Sequence, residues 1–209
     1  MIETIINEGL AGFAAQSPWE WLAALFGIGY VVLAARENPW AWPSAFISTL
    51  IYTLLFWHGQ LPLQSLLNLY YLIMALYGWQ QWKKGRHGAQ DFEEPLEISK
   101  KPLKFHLGFT ATGAILSFML GTWMHIEKWS VAPFLDAGVM VFSVMTTYLM
   151  VKKILENWLY WLFVESASII LYWQNGYYPT MIMFMLYLVL AAYGYIAWKK
   201  TYAKAHSKH

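Results

Sequence analysis

Trp161, Glu165, Ser168 and Tyr172 recur at i, i+4, i+7 and i+11 of an otherwise apolar run, a spacing that lines one face of an α-helix. Glu165 is the only acidic residue deep in any such run, and no Lys or Arg lies at comparable depth to pair with it. A carboxylate at that depth is costly unless it is protonated, partnered or turned toward a polar cavity. Two readings follow: a protonated carboxyl hydrogen-bonded between helices, or a ligand contact. Other polar and aromatic groups fall in neighbouring runs. They are Trp42, Thr49 and Tyr52, then Gln64, Asn68 and Tyr71, and finally Tyr187. Trp173 closes the run that holds Glu165, where interfacial anchoring and site lining are both open readings.

This inventory offers aromatic faces, amides, hydroxyls and one carboxylate, with no buried cation. Phosphates call for Arg, Lys or helix N-termini, so a phosphorylated ligand is disfavoured. A flat neutral or cationic ring bearing hydroxyl groups fits better, because aromatic faces attract cations and amides with a carboxylate can hold hydroxyls. Catalysis is not indicated. The deep polar residues include no His, and Ser166 and Ser168 have no base nearby. A retinal protein needs a lysine deep in the last run, which has none before Lys199. There is no GxxxxGK[ST] phosphate loop and no cysteine for disulfides or thiolate metal sites. Neither cofactor nor metal is expected. The expected partners are a small molecule and the lipid bilayer, with no nucleic acid.

The elements that must position these groups cross a membrane. Hydrophobic residues make up 58% of the 209 and charged residues 12%, against about 25% charge in a soluble domain. Breaks in hydropathy give seven spans at about 18–35, 40–57, 62–82, 103–123, 132–151, 157–174 and 178–198. Residues 1–17 lack the basic start of a signal peptide. Their apolar positions Ile2, Ile5, Ile6, Leu10 and Phe13 share one face, which predicts an interfacial helix. With the N-terminus outside, Lys128 is the only one of 14 Lys and Arg residues left outside. The positive-inside rule therefore predicts N-out and C-in.

The chain also repeats itself. YGWQQWKK at 77–84 returns as YGYIAWKK at 193–200, 116 positions later. Under the predicted topology both phrases end a span on the cytoplasmic face, so the copies run parallel. Residues 18–82 and 132–198 form two three-helix repeats, with 103–123 as the linker helix that restores orientation. A polar cytoplasmic loop (83–102) precedes the linker, and a basic cytoplasmic tail (199–209) closes the chain. Trp82 and Trp198 are expected to anchor at the headgroups. Asn38 and Trp42 match Asn157 and Trp161 at an offset of 119, which would set Phe46 opposite Glu165.

Three stretches, NPWAWPSAFISTLIYTLLFW, LNLYYLIMALYGWQQW and NWLYWLFVESASIILYWQNGYY, resemble the PnuC-type vitamin transporters. The similarity runs from about Trp19 to Trp198. The resemblance implies a bacterial inner-membrane transporter for nicotinamide riboside with the three-plus-one-plus-three fold shared with SWEET sugar transporters. It implies facilitated diffusion, with cytoplasmic phosphorylation trapping the substrate, and it allows a homotrimer. Carried onto this sequence, it singles out Trp42, Asn68, Trp161, Glu165, Trp173 and Tyr187. Relatives that carry thiamine or riboflavin are the alternative, as is proton coupling through Glu165.

Overall fold

The computed structural model describes residues 2–59, 62–84 and 96–207, and it is helical throughout. Eight helices follow in order: α1 Ile2–Ala15, α2 Pro18–Ala35, α3 Ala41–His58, α4 Pro62–Lys84, α5 Leu103–Ile126, α6 Pro133–Val151, α7 Asn157–Gln174 and α8 Tyr178–His206. Local signals start them where expected. Ser17 and Glu20 close a capping box on α2, Ser17 N–H donating to Glu20 Oε2 at 2.6 Å and Glu20 N–H to Ser17 Oγ at 3.3 Å. Proline opens α2 and α6, where its missing N–H costs nothing. Helix α8 outruns the predicted span by eight residues, ending at His206 rather than 198.

Four helices, α2, α5, α6 and α8, are long and apolar enough to cross a membrane by length and composition. The other three predicted spans, α3, α4 and α7, carry most of the candidate polar positions. Helix α3 packs between α2 and α4, and α7 between α6 and α8. Seams between α2 and α8 and between α4 and α6 join the two sets, α5 lies along α6, and α1 packs on α8. In that last contact Gly9 lies beside Ile182, and Gly12 is pressed against Pro179. The side chains of Ile2, Ile5, Ile6 and Phe13, which define the predicted interfacial face, lie outside the described residues. So do residues 85–95 of the polar loop.

The end of the bundle where α2, α4, α6 and α8 run out is built twice from the same parts. Trp42 of α3 fills a notch at Gly78 of α4, and Trp158 of α7 fills the matching notch at Gly194 of α8. In each case a Cβ on the glycine would fall inside the indole. Trp82 meets Trp42 edge-on (5.3 Å, 88°), and Trp198 meets Trp158 in the same way (5.5 Å, 90°). Trp82 and Trp198 face each other at 6.0 Å, joining the pairs into one four-tryptophan core.

Two expectations are corrected here. Trp82 and Trp198 are not surface anchors, for they are 4% and 0% exposed. Their indole N–H groups donate to Val151 O and Ala34 O, both at 3.0 Å. Each tryptophan thus donates to the last turn of a helix in the other set; Val151 O closes α6, and Ala34 O also accepts Glu37 N–H at 2.9 Å. The second correction concerns register. Trp42 corresponds to Trp158, not Trp161, because the glycine notch selects its partner, and the offset is 116 throughout. Glu165 is therefore matched by Thr49 rather than Phe46.

The same offset holds in the corners. Helices α2 and α6 end in Schellman turns, in which Asn38 N–H donates to Leu33 O (2.9 Å) and Ile154 N–H to Leu149 O (3.0 Å). The left-handed residue of such a turn is usually glycine. Here it is Glu37 (φ 56°) in one turn and Lys153 (φ 48°) in the other, each at a cost of roughly 1–2 kcal/mol. Residues 96–102 run past the second corner and bond to it, Ser99 N–H donating to Lys153 O at 2.9 Å and Leu155 N–H to Ser99 O at 2.8 Å.

The notches give a direct test. Gly78→Ala and Gly194→Ala should each destabilise the protein by about 1–3 kcal/mol, the usual cost of forcing a methyl into a packed core. Thermal unfolding in detergent should show similar losses for the two, whereas Gly108→Ala inside α5, where a Cβ would meet nothing, should hold or slightly raise the midpoint through the better helix propensity of alanine.

Candidate functional site

Glu165 lies mid-way along α7 and is 7% exposed. Its Oε2 has no hydrogen-bond partner among the described residues. Three tyrosines from three helices stand within electrostatic reach of the carboxylate: Tyr71 of α4, Tyr172 of α7 and Tyr187 of α8. Ser143 of α6 neighbours Tyr71 in turn. Tyr187 aims its hydroxyl at Gly27 of α2, where an ideal Cβ would lie 2.9 Å from it. Tyr52 of α3 neighbours Tyr187. Side chains from both sets of helices therefore converge on one buried acidic group.

The reason the sequence folds this way is local. Helix α3 is drawn onto α2 by serines rather than by bulk, Ser44 Oγ donating to Phe26 O at 2.7 Å and Ser48 Oγ to Ala23 O at 2.8 Å. Gly27 and Gly29 make that approach possible, since Cβ atoms there would stand 3.2 and 3.1 Å from the serine hydroxyls. The space left at Gly27 admits the Tyr187 hydroxyl.

Hydroxyls on the α3 and α7 faces are half committed. Ser168, fully buried, donates to Val164 O at 2.8 Å, and Thr49 donates to Ala45 O at 2.8 Å. Each keeps its oxygen lone pairs as acceptors. Phe184 of α8 stacks on Tyr172 at 5.1 Å and 22° and meets Tyr187 edge-on at 6.0 Å. Tyr52 stacks on Phe56 at 5.7 Å and 16°. The arrangement offers flat apolar faces and several hydroxyls beside the buried Glu165, with Asp136 of α6 also within electrostatic reach of Tyr172. It can surround a planar ring, accept hydrogen bonds and balance a positive charge.

The remaining predicted positions lie further out or are otherwise engaged. Trp42 belongs to the four-tryptophan core, and Trp161 packs against that core from α7. Gln64 is exposed, and Asn68, partly exposed, donates its side-chain amide to Gln64 O at 2.9 Å. Trp173 is 52% exposed at the end of α7. Sequence reasoning passed over Tyr30 and Ser143. Tyr30 tilts over Trp42 at 5.7 Å and neighbours Tyr71, so it connects the tryptophan core to the carboxylate group. Each is a single polar atom in an apolar helix, and only the tertiary packing gives it a partner.

An apolar groove of about 400 Å³ opens separately between α3 and α4, lined by Thr53, Leu54, Trp57, Ser65, Leu66 and Leu69. It includes none of the positions around Glu165.

Residues 17–200 match the profile of a family described as nicotinamide mononucleotide transporter. The chain is 25% identical over 194 residues to the riboflavin/roseoflavin transporter RibM of Streptomyces davaonensis, covering 92% of this chain and 90% of that one. It is 29% identical over 203 residues to the nicotinamide riboside transporter PnuC of Neisseria mucosa (91% and 76% covered). The corresponding figure for PnuC of Escherichia coli is 23% over 203 residues (86% and 84%). Among solved structures, the crystal structure of the vitamin B3 transporter PnuC superposes with a TM-score of 0.73 at 24% identity, covering 97% of this chain and 90% of that one, a likeness of fold. These are transport proteins rather than enzymes, and with most of its length matched, this chain belongs to the nicotinamide mononucleotide transporter family that includes PnuC.

Proposed function

We propose that this protein carries nicotinamide riboside across the bacterial inner membrane by facilitated diffusion, with phosphorylation in the cytoplasm trapping the substrate. The observation that carries the reading is Glu165, a buried acidic group with an oxygen that has no hydrogen-bond partner among the described residues, and with Tyr71, Tyr172 and Tyr187 within electrostatic reach. A pyridinium ring is flat and cationic, so it gains from both the aromatic faces and the acidic group. An unphosphorylated ribose suits the acceptor oxygens of Ser168 and Thr49. A phosphate would have no basic partner, since no Lys or Arg lies deep in any span. The PnuC relatives of Neisseria mucosa and Escherichia coli support the substrate.

Riboflavin is the second reading, and the likeness to RibM favours it. Its ring is larger and neutral, so it would use the aromatic faces and leave Glu165 without a counter-charge. A thiamine-type substrate is cationic and makes the same demand as nicotinamide riboside. Proton coupling through Glu165 is the mechanistic rival to facilitated diffusion, and uptake that ignores an imposed pH gradient excludes it.

The architecture that goes with this function is two parallel three-helix repeats, α2–α4 and α6–α8, with α5 as linker. The constant offset of 116 between the notches and corners supports it. Arg36, Lys83, Lys100, Lys152 and Lys199 gather at the tryptophan end, which the positive-inside rule assigns to the cytoplasm. Substrate would exchange between faces by rocking of one repeat against the other around a midplane site.

Calorimetric titration of the purified protein should show saturable binding of nicotinamide riboside and none of nicotinamide mononucleotide. Saturation by riboflavin instead would keep the fold and replace the substrate. Glu165→Gln should weaken riboside binding about 10- to 100-fold, the range expected when a charge-assisted contact is lost, with little change for a neutral ring. A phosphatase reporter fused after His209 should stay inactive, since the C-terminus faces the cytoplasm, while one inserted at Lys128 should be active in the periplasm.

A further inference from the structure

We propose that Glu37 and Lys153 form a latch that holds the two repeats closed at their lysine-rich end, and that this latch must open for substrate to pass there. This rests on the transporter reading above. Lys153 Nζ donates to Glu37 Oε2 at 3.2 Å, and the two residues occupy the same left-handed position of two equivalent Schellman turns. The pair thus joins the corner of one repeat to its counterpart in the other. Lys153 also lies over the Trp82 ring at 4.8 Å and is 6% exposed, so the charge is held in a largely dry setting where a partner matters most.

The residue types at the two corners are unusual for their backbone. Both turns call for glycine by backbone conformation, yet both carry long charged side chains of opposite sign. Glycine would relax each turn and delete the contact between them. Lys128 takes the same left-handed position where α5 ends (φ 57°), so a charged residue there is not in itself the signal. What sets Glu37 and Lys153 apart is their opposite sign and the contact between them, which exists only in a closed arrangement.

The surroundings close with it. Ser99 bonds to Lys153 O and Leu155 N–H, strapping residues 96–102 across the corner, and Lys100 lies over Tyr202 of α8 at 4.5 Å. The closed state also leaves a debt. The indole N–H groups of Trp42 and Trp158 are buried with no hydrogen-bond partner among the described residues. Opening would let water reach both, offsetting the lost latch contacts and keeping the two states near balance.

The test uses the absence of native cysteine. Ser168→Cys places a single thiol one turn from Glu165, and protein in vesicles is treated with a membrane-impermeant methanethiosulfonate from the lysine-rich face. Adding Glu37→Gly or Lys153→Gly should raise the labelling rate about fivefold from that face only. Glu37→Gln, which keeps the side chain's shape, should move it in the same direction. The double glycine variant should label no faster than either single one, because both remove one contact. Unchanged labelling in all four would overturn the latch, as would equal acceleration from both faces, which marks general loosening. No substrate is needed, so failure of nicotinamide riboside to bind would leave this result standing.

Discussion

An acidic side chain in the middle of an apolar bundle dictates what its neighbours must be. Glu165 cannot be left among hydrocarbon, and the surrounding helices supply Tyr71 with Ser143 behind it, Tyr172, and Tyr187 seated against Gly27. Gly27 makes the room for Tyr187, beside the serine contacts that draw α3 onto α2. A tyrosine answers the need well because it brings a hydroxyl without breaking the apolar packing around it. The consequence is a polar centre that is well supplied with aromatic surface and short of charge. That combination restricts the chemistry the centre can offer more than any single residue does.

The two halves divide the labour unequally. At the matching depth α3 offers Thr49 where α7 offers Glu165, and Tyr52 where α7 offers Ser168, once the offset of 116 is applied. The tryptophan end, by contrast, is nearly identical in both halves, down to the glycine notch, the edge-on indole pair and the crossing hydrogen bond. The tryptophan end joins the halves as equivalent bodies, while the centre around Glu165 is asymmetric. The two halves differ around Glu165 and match where they meet.

How much of this was legible in the sequence depended on whether the signal was local. The face carrying Trp161, Glu165, Ser168 and Tyr172 could be read from helical spacing alone, and the YGxxxWKK phrase revealed the repeat. The fate of Trp82 and Trp198 could not. A tryptophan beside lysines reads as a headgroup anchor in one dimension, and only the glycine four residues earlier hints at close packing. Matching Asn38 and Trp42 to Asn157 and Trp161 followed residue identity, whereas the true register follows the notch. Tyr30 and Ser143 were invisible because their partners come from other helices. The Glu37–Lys153 pair joins residues 116 apart that look like ordinary loop charges until their backbone angles are known.

Those angles bear on why the tryptophan core is built as it is. Trp82 and Trp198 each bond to the last turn of a helix in the opposite half, immediately before the residues that carry Glu37 and Lys153. A shift that separates the corners therefore also pulls on both indole hydrogen bonds, and on the edge-on pairs behind them. Packed aromatic cores resist gradual deformation, since a small gap forfeits much of the contact energy. The end of the bundle is thus suited to two discrete arrangements rather than a continuum, the behaviour that alternate exposure of a central site requires.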